Sequence, residues 1–311
     1  MAITNISITP QFGNNTVTAI NCGTSAPKLS GTIDISAFPN LTGFTCNNND
    51  ITQVTGYEEN SNCISINFYN NKVIGPIPSL SALTQIQEFF CANNNMTGPI
   101  PSLSANVQLK DFFCSANQLT GSIPSLSANT QLRVFYCYSN QLTGPIPSLS
   151  ANSVLTDFYC HTNNLTGPIP SLSANAQLRL FYCHENQLTG SIPSLSANAQ
   201  LRVFFCNNNQ LTGPIPTLSA NMQLESFRCY VNQLDNFQGG SVSNTLGTFQ
   251  AQNNLLPSSA VNSILAAFVA ANKTTGTRVL NLGGTGNAAP TGAGITDKAT
   301  LVSRGWTVTT N

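Results

Sequence analysis

Hydrophobic and polar positions along most of this chain recur with a period of 23 residues. The stretch LRLFYCHENQLTG, residues 178–190, places two aromatic residues and a cysteine after a leucine, and close relatives of it follow one another in tandem. Neighbouring residues of a β-strand point to opposite faces, so an inward Phe181 and Cys183 require an outward Tyr182. The pattern predicts one short strand per repeat, stacked in register as a parallel sheet. The cysteines of this column are Cys91, Cys114, Cys137, Cys160, Cys183, Cys206 and Cys229.

Two further columns accompany the cysteines. An inward phenylalanine column is predicted beside them, and an asparagine at each strand-to-turn junction has the donors and acceptors to satisfy backbone groups of neighbouring repeats. Glycines such as Gly98 relax the bend after the strand, and prolines such as Pro101 forbid a long helix on the return. The phenylalanines are Phe89, Phe112, Phe135, Phe158, Phe181, Phe204, Phe227 and Phe249. The asparagines are Asn49, Asn71, Asn94, Asn117, Asn140, Asn163, Asn186, Asn209, Asn232 and Asn254.

The two ends of the chain depart from the repeat. The segment PSSAVNSILAAFVAAN, residues 257–272, predicts a helix, followed by a strand in TRVLNL, a short helix in GITDKATLVSRG and a strand in WTVTT. The alternation in ITNISIT and TVTAIN predicts strands near the start. We therefore divide the chain into an N-terminal cap or attachment segment (1–39), repeats (40–257) and a C-terminal cap (258–311), because the ends of a stacked array must cover its core.

The repeat L-x-x-F-aromatic-C-x-x-N-x-L resembles the leucine-rich repeat L-x-x-L-x-L-x-x-N-x-L, with Phe and Cys at two consensus leucines. The following LTGPIP or LTGSIP resembles the L-x-G-x-I-P signature of the plant-specific repeat type. The tail from LNLGGTG onward is similar to the endings of repeat proteins in Bacteroidetes-type bacteria and their phages. The resemblance implies a β-rich leucine-rich-repeat solenoid with a parallel sheet on its concave face, an irregular convex side and a small α/β C-terminal cap.

The composition of the chain argues against some classes of function. Only 7% of the residues are charged, against roughly 25% in typical proteins, and the formal net charge is zero. Such a chain has no electrostatic attraction to nucleic acid or to an anionic membrane. No apolar run approaches the roughly 20 residues that span a bilayer. The first residues lack the features of a signal peptide, so we expect a product made in a cytoplasm, whatever its final location.

The cysteine column has three interpretations. In-register parallel side chains hold their Cβ atoms near 4.8 Å, beyond the usual disulfide range of about 3.5–4.5 Å, which favours buried thiols that act as small hydrophobes. Disulfides remain the alternative. Metal binding is disfavoured because a line of one cysteine per repeat offers no tetrahedral cage.

With the core assigned, the outward strand positions are where function is expected. Six aromatic rings lie in line there, and the neighbouring column varies from repeat to repeat while the core columns do not. The varying column contains Ser115, Tyr138, His161, His184, Asn207 and Tyr230. Stacking that stiffens the sheet is one interpretation, and a recognition surface for a sugar or a protein is the other. We predict recognition, and the predicted ligand-binding residues are Phe113, Tyr136, Tyr138, Tyr159, His161, Tyr182, His184, Phe205, Arg228 and Tyr230.

The sequence gives little support for an enzymatic function. The only histidines, His161 and His184, lie one repeat apart, and with Asp157 and Glu185 nearby they offer an alternative metal site. No Ser or Cys nucleophile has a base arranged for it. We expect no catalytic residue, no resident metal and no cofactor. Three carboxylates of one outward column are expected to be solvated charges: Glu88, Asp111 and Asp157.

Two functional hypotheses follow. The first is a bacteriophage virion component, such as a spike, fibre or decoration protein, that binds a host-surface glycan or protein through its aromatic face. Residues 1–39 would then contact other virion proteins, and a homo-oligomer is left open. The second is a cellular leucine-rich-repeat protein, extracellular or on the cell surface, that binds or inhibits a partner.

Overall fold

The structure is a computed structural model of the 311-residue chain, and it describes residues 3–4 (backbone only), 17–23, 27–58 and 60–311. The chain divides into two compact units, Met1–Leu155 and Thr156–Asn311. This division is based on contacts within each unit. The predicted boundaries at residues 39/40 and 257/258 are based on the repeat pattern, and they stay predictions.

The first unit is built from short strands. In chain order these are β1 (Ile3–Thr4), β2 (Ala19–Asn21), β3 (Leu29–Asp34), β4 (Gly43–Thr45), β5 (Asp50–Thr55), β6 (Ser65–Asn67), β7 (Ile74–Pro76), β8 (Glu88–Phe90), β9 (Asn95–Pro99), β10 (Asp111–Phe113), β11 (Gln118–Thr120), β12 (Val134–Tyr136) and β13 (Thr143–Pro145). The strands predicted in ITNISIT and TVTAIN correspond in part to β1 and β2, and residues 5–16 lie outside the described part.

The even-numbered strands β2 to β12 form a parallel sheet, here called the first long sheet. Its strands pair in register, so that Phe112 lies opposite Phe89 on one side and Phe135 on the other. On the return side of each repeat, β1, β3 and β5 form one small parallel sheet and β7, β9 and β11 form another. The return path therefore carries short strands as well as irregular segments.

The second unit continues the same plan and adds helices. Its elements are β14 (Asp157–Tyr159), β15 (Asn164–Pro168), β16 (Leu180–Tyr182), β17 (Gln187–Thr189), β18 (Val203–Phe205), β19 (Thr212–Ile215), β20 (Ser226–Arg228), β21 (Gln233–Phe237), β22 (Thr248–Gln250), α1 (Ser258–Ala271), β23 (Val279–Asn281), α2 (Ala293–Ser303) and β24 (Thr307–Thr309).

Strands β14, β16, β18, β20, β22, β23 and β24 form the second long sheet, which is also parallel and in register. Helix α1 confirms the helix predicted over 257–272, and β23, α2 and β24 confirm the strand, short helix and strand predicted after it. Phe268 of α1 covers the end of the phenylalanine column, with its ring centroid 5.4 Å from that of Phe249 and 5.2 Å from that of Trp306. These elements form the small α/β cap.

The inward columns are as predicted. The column phenylalanines and cysteines are fully buried, and the phenylalanine rings stack within each unit at 5.5 Å for Phe112–Phe135 and 5.4 Å for Phe181–Phe204. The described residues include all ten cysteines, and none of them forms a disulfide. Burial raises the pKa of the Cys183 thiol well above its ordinary value. The thiols fill space between neighbouring repeats, which confirms the prediction of buried thiols.

The asparagine column supplies hydrogen bonds between rungs. The Nδ2 of Asn186 donates to the carbonyl oxygens of Cys160 (3.1 Å) and Cys183 (3.2 Å), and its Oδ1 accepts from the backbone N–H of Leu165 (2.9 Å). A buried backbone group without a partner is destabilising by about 1–3 kcal/mol, so each asparagine stabilises the turn that follows a strand. The fold class predicted from the repeat, a β-rich leucine-rich-repeat solenoid with a C-terminal α/β cap, is confirmed.

Candidate ligand-binding face

The outer face of the second long sheet carries a line of aromatic rings. The ring centroids of Tyr159 and Tyr182 are 4.3 Å apart, and those of Tyr182 and Phe205 are 4.9 Å apart. Each residue is the last of its strand and stands between two inward residues, so pairing in register places the rings on one face. The rings are half-buried rather than fully exposed, because each covers part of the next. The line is an apolar platform whose edges and upper surface reach solvent.

Beside this line lie the two histidines. The imidazole rings of His161 and His184 stack with centroids 4.3 Å apart and planes 10° apart, and each meets the ring of Tyr182 edge-on. Burial, and then the neighbouring His184, lower the pKa of His161 to about 4 against the opposing effect of Glu185. Burial also lowers the pKa of His184, with Glu185 opposing and Arg228 adding to the shift. Both rings are therefore neutral near pH 7.

The cation of this face is Arg228. Its guanidinium carbon lies 4.4 Å from the centroid of the Phe205 ring, a cation–π contact that holds the charge over the aromatic platform. The ion pairs in the described part of the chain do not include Arg228. The charge of Arg228 is consequently available to a ligand.

These side chains surround a shallow cleft of about 450 Å³. Pockets of roughly 300–1,000 Å³ hold drug-sized ligands or part of a peptide. Its lining consists of His161, Tyr182, His184, Glu185, Phe205, Asn207, Arg228 and Tyr230. Six of these were predicted from the sequence as ligand-binding residues, and Tyr159 lies next to them in the aromatic line. Asn207 and Glu185 were missed as lining residues, although both lie on or beside the varying column.

Two polar atoms of the lining residues are buried and have no hydrogen-bond partner among the described residues: His184 Nδ1 and Arg228 Nε. Buried polar groups are hydrogen-bonded in the great majority of cases, so these two atoms are available to pair with a ligand. The chemistry available is hydrogen bonding from neutral imidazole, phenol and amide groups, one cation and an apolar floor.

The remaining predicted residues lie in the first unit. Phe113 stacks on Phe90 at 4.5 Å and on Tyr136 at 4.6 Å, and Tyr136 lies 6.3 Å from Tyr138. They form a second aromatic patch on the outer face of the first long sheet. The predicted residues thus form two groups, one in each unit.

Some sequence expectations about this face are wrong. Ser115 and Asn207, assigned to the exposed varying column, are only 3% and 2% exposed because larger neighbours cover them. Asp111 was expected to be a solvated charge, but it is buried and paired with Arg133, with Asp111 Oδ2 2.8 Å from the Arg133 Nη2. Glu88 and Asp157 are half-buried, and they accept hydrogen bonds from the hydroxyls of Ser65 and Thr156.

A metal site gains no support. Within the described part of the chain there is no group of three or more His, Cys, Asp or Glu side chains placed to hold a metal ion. Glu185, which lies beside His184, instead accepts a hydrogen bond from the hydroxyl of Thr162 at 2.9 Å. A search of the described helices finds none with both the length and the apolarity needed to cross a membrane.

Comparison with solved structures places the fold among leucine-rich-repeat proteins. The ectodomain of the Arabidopsis thaliana receptor kinase GASSHO1/SCHENGEN3 is 23% identical over 78% of this chain and 34% of its own, with a TM-score of 0.65. The Arabidopsis receptor kinase HAESA is 21% identical over 88% of this chain and 54% of its own, also with a TM-score of 0.65. Both were solved with ligands, respectively CASPARIAN STRIP INTEGRITY FACTOR 2 and the peptide hormone IDA with the co-receptor SERK1.

One of the similar structures is bacterial. The functional domain of InlJ from Listeria monocytogenes is 26% identical over 71% of this chain and 46% of its own, with a TM-score of 0.59, and it is described as including a cysteine ladder. The chain spans between about a third and about half of the length of these three structures. No protein-family model and no curated protein matches the sequence.

Proposed function

We propose that this chain is a non-enzymatic binding protein whose ligand is a peptide or protein segment held on the outer face of the second long sheet. The observation that carries the proposal is the presence of two buried polar atoms without partners in the lining of the 450 Å³ cleft, Arg228 Nε and His184 Nδ1. A ligand that lies on the aromatic line can supply their missing partners.

The cleft also defines the kind of segment that fits. Tyr182 and Phe205 offer apolar area, as the aromatic residues of protein interfaces do. Arg228 is an unpaired cation already in contact with the Phe205 ring, so it favours an acidic side chain. Hydrogen bonds to charged groups contribute about 1.5–3 kcal/mol. The matching ligand combines an acidic residue with an adjacent apolar one.

The similar structures support a binding role. HAESA and the GASSHO1/SCHENGEN3 ectodomain have the same fold and were solved as complexes with a peptide hormone and with CASPARIAN STRIP INTEGRITY FACTOR 2. This favours the second hypothesis drawn from the sequence, a partner-binding leucine-rich-repeat protein, and on the same ground we propose an extracellular or cell-surface location. None of the structures named above is described as a virion component or a glycan-binding protein. The virion location and the glycan ligand stay predictions from the sequence.

Selection from a random peptide library tests the proposal. The full chain is immobilised, bound peptides are recovered, and each is then compared on Arg228→Gln and Arg202→Gln. Arg202 is the matched control, because it lies in the same unit and its loss removes the same charge, but it forms an exposed ion pair with Glu225 outside the cleft. We expect peptides rich in acidic and apolar residues whose recovery falls at least ten-fold on R228Q and stays the same on R202Q. Equal recovery on both variants would refute the cleft as the binding site.

A further inference from the structure

A second cavity, of about 380 Å³, lies in the first unit on the return side of the repeats. Residues of strands β5, β7 and β9 and of the segments next to β5 and β7 form its walls. Its lining combines polar residues such as Thr52 and Gln53 with six apolar ones: Val54, Val73, Ile74, Pro76, Pro78 and Met96. Ile74 is 64% exposed, the largest exposed fraction among the large hydrophobic residues of the described part, and it forms part of the entrance. The cavity shares no residue with the cleft of the second unit.

The cavity lies beside a repeat that departs from the consensus. Where other repeats read G-x-I-P-S-L-S-A-N, the equivalent residues 52–60 read TQVTGYEEN, so Tyr57 stands at the position of the buried Leu103. Tyr57 turns inward and is wholly buried, with its ring 5.8 Å from that of Phe68 and 6.0 Å from that of Phe89. Strand β5 pairs with β3, whereas β7 pairs with β9, so the return-side stack is interrupted between β5 and β7. The cavity lies at this break.

One acidic side chain lines this cavity. The Oε2 of Glu58 is buried and has no hydrogen-bond partner among the described residues. The nearby Asp50 and Lys72 are paired with each other at 3.1 Å, so Lys72 is already engaged. A buried acidic oxygen without a donor is destabilising, and a cation with N–H groups is the partner that relieves this best.

We propose that this cavity binds a primary ammonium group carried on a straight alkyl stem. The ammonium group donates to the Glu58 carboxyl oxygens, and the stem lies against Val54, Val73 and Ile74. Lysine side chains combine these two properties, a charged head and an apolar stem, and so do free alkylamines. A cavity of 380 Å³ has room for either. The proposal is independent of the function assigned to the second unit.

Titration with n-pentylamine, followed by two-dimensional NMR of the full chain, tests the proposal. We expect saturable shifts around Thr55, Val73 and Ile74 with a dissociation constant of about 1 mM, typical of ligands this small. The neutral analogue n-pentanol should bind at least ten-fold more weakly to the unchanged protein. This comparison needs no variant, so it decides the matter even where a substitution harms folding. Equal binding of pentanol and pentylamine would overturn the proposal.

Two variants sharpen the result. Glu58→Gln should weaken pentylamine binding at least ten-fold, whereas Glu88→Gln, a matched loss of one carboxyl on the long-sheet face of the same unit, should leave it within two-fold. An unchanged affinity in E58Q would overturn the role of Glu58. An acetyl-Gly-Lys-Gly-amide peptide and its norleucine analogue separate the two sources of the ligand. Binding of the lysine peptide alone assigns the site to lysine side chains of a partner, and binding of pentylamine without either peptide assigns it to free amines.

Discussion

The imidazole rings of His161 and His184 stack at 4.3 Å, almost parallel, on the outer face of the second long sheet. Two rings this close repel each other when both are protonated, and both are partly buried. Burial lowers the pKa of each, that of His161 to about 4. The two rings are therefore neutral when stacked, and their protonation at acidic pH destabilises the stack.

The stability of the protein should fall as the pH drops from about 6.5 towards 4. The folded-state pKa of His161 lies below its ordinary value of 6.5, so the unfolded chain binds the proton more readily in this range and the free energy of unfolding decreases. Thermal unfolding midpoints measured between pH 7 and pH 4 test this. The double variant H161N/H184N, which keeps polar side chains but cannot titrate, should lose less stability than the parent over that range. Parallel pH profiles of the two proteins would contradict the assignment.

The cysteines should react unequally with a thiol reagent. Cys22 is only half-buried, and its hydrogen bond with Cys46 lowers its pKa, whereas burial raises the pKa of the column thiols such as Cys91. Reaction requires the thiolate and access to it. In the native protein we expect one fast thiol, which Cys22→Ser removes, and the other nine only after unfolding. Several fast thiols in the C22S variant would show that the column is open to solvent.

Replacing Val231 should stabilise the second unit. Val231 has a φ of 52°, in the left-handed region that a β-branched side chain disfavours, and it is 42% exposed. Asn208 holds the equivalent position one repeat earlier with a φ of 53°. Because asparagine tolerates this conformation, V231N should raise the free energy of unfolding by about 1 kcal/mol. Val107→Asn is the control, since Val107 is also exposed but has ordinary backbone geometry, and it should change little. Urea denaturation measures both.

Removing one residue of the asparagine column should lower the free energy of unfolding. Asn186→Ala leaves the N–H of Leu165 and the carbonyl oxygens of Cys160 and Cys183 without this partner. We expect a loss of about 2 kcal/mol or more, at about 1–3 kcal/mol per buried group left unpaired. The adjacent exposed Gln187→Ala should stay within about 0.5 kcal/mol. Equal urea midpoints for N186A and Q187A would show that the column does not stabilise the turns.

The features that depend on the repeat were predicted correctly from the sequence. Phe181 and Cys183 were assigned inward, and Tyr182 outward, from strand alternation alone, and the structure confirms all three. Features that depend on contacts between different columns were missed. Asp111 pairs with Arg133, which lies 22 residues away rather than 23, so no single column contains both.

Features that depend on one irregular repeat were also missed. Tyr57 and Glu58 lie in a segment that departs from the repeat consensus. Tyr57 takes the position of the buried leucine, such as Leu103, but no position of the repeat predicts a cavity beside Glu58. In the cleft, the aromatic line was predictable, but the half-burial of its rings follows from stacking distances that the sequence does not contain.

The most direct test of the binding role is the dissociation constant of one library-selected acidic peptide, measured by calorimetry on the full chain and on two variants. If the cleft is the binding site, R228Q weakens the affinity at least ten-fold, a loss of about 1.4 kcal/mol, while R202Q leaves it unchanged. Equal affinities of all three proteins for that peptide would contradict the account, because Arg228 on the Phe205 ring would then have no part in recognition.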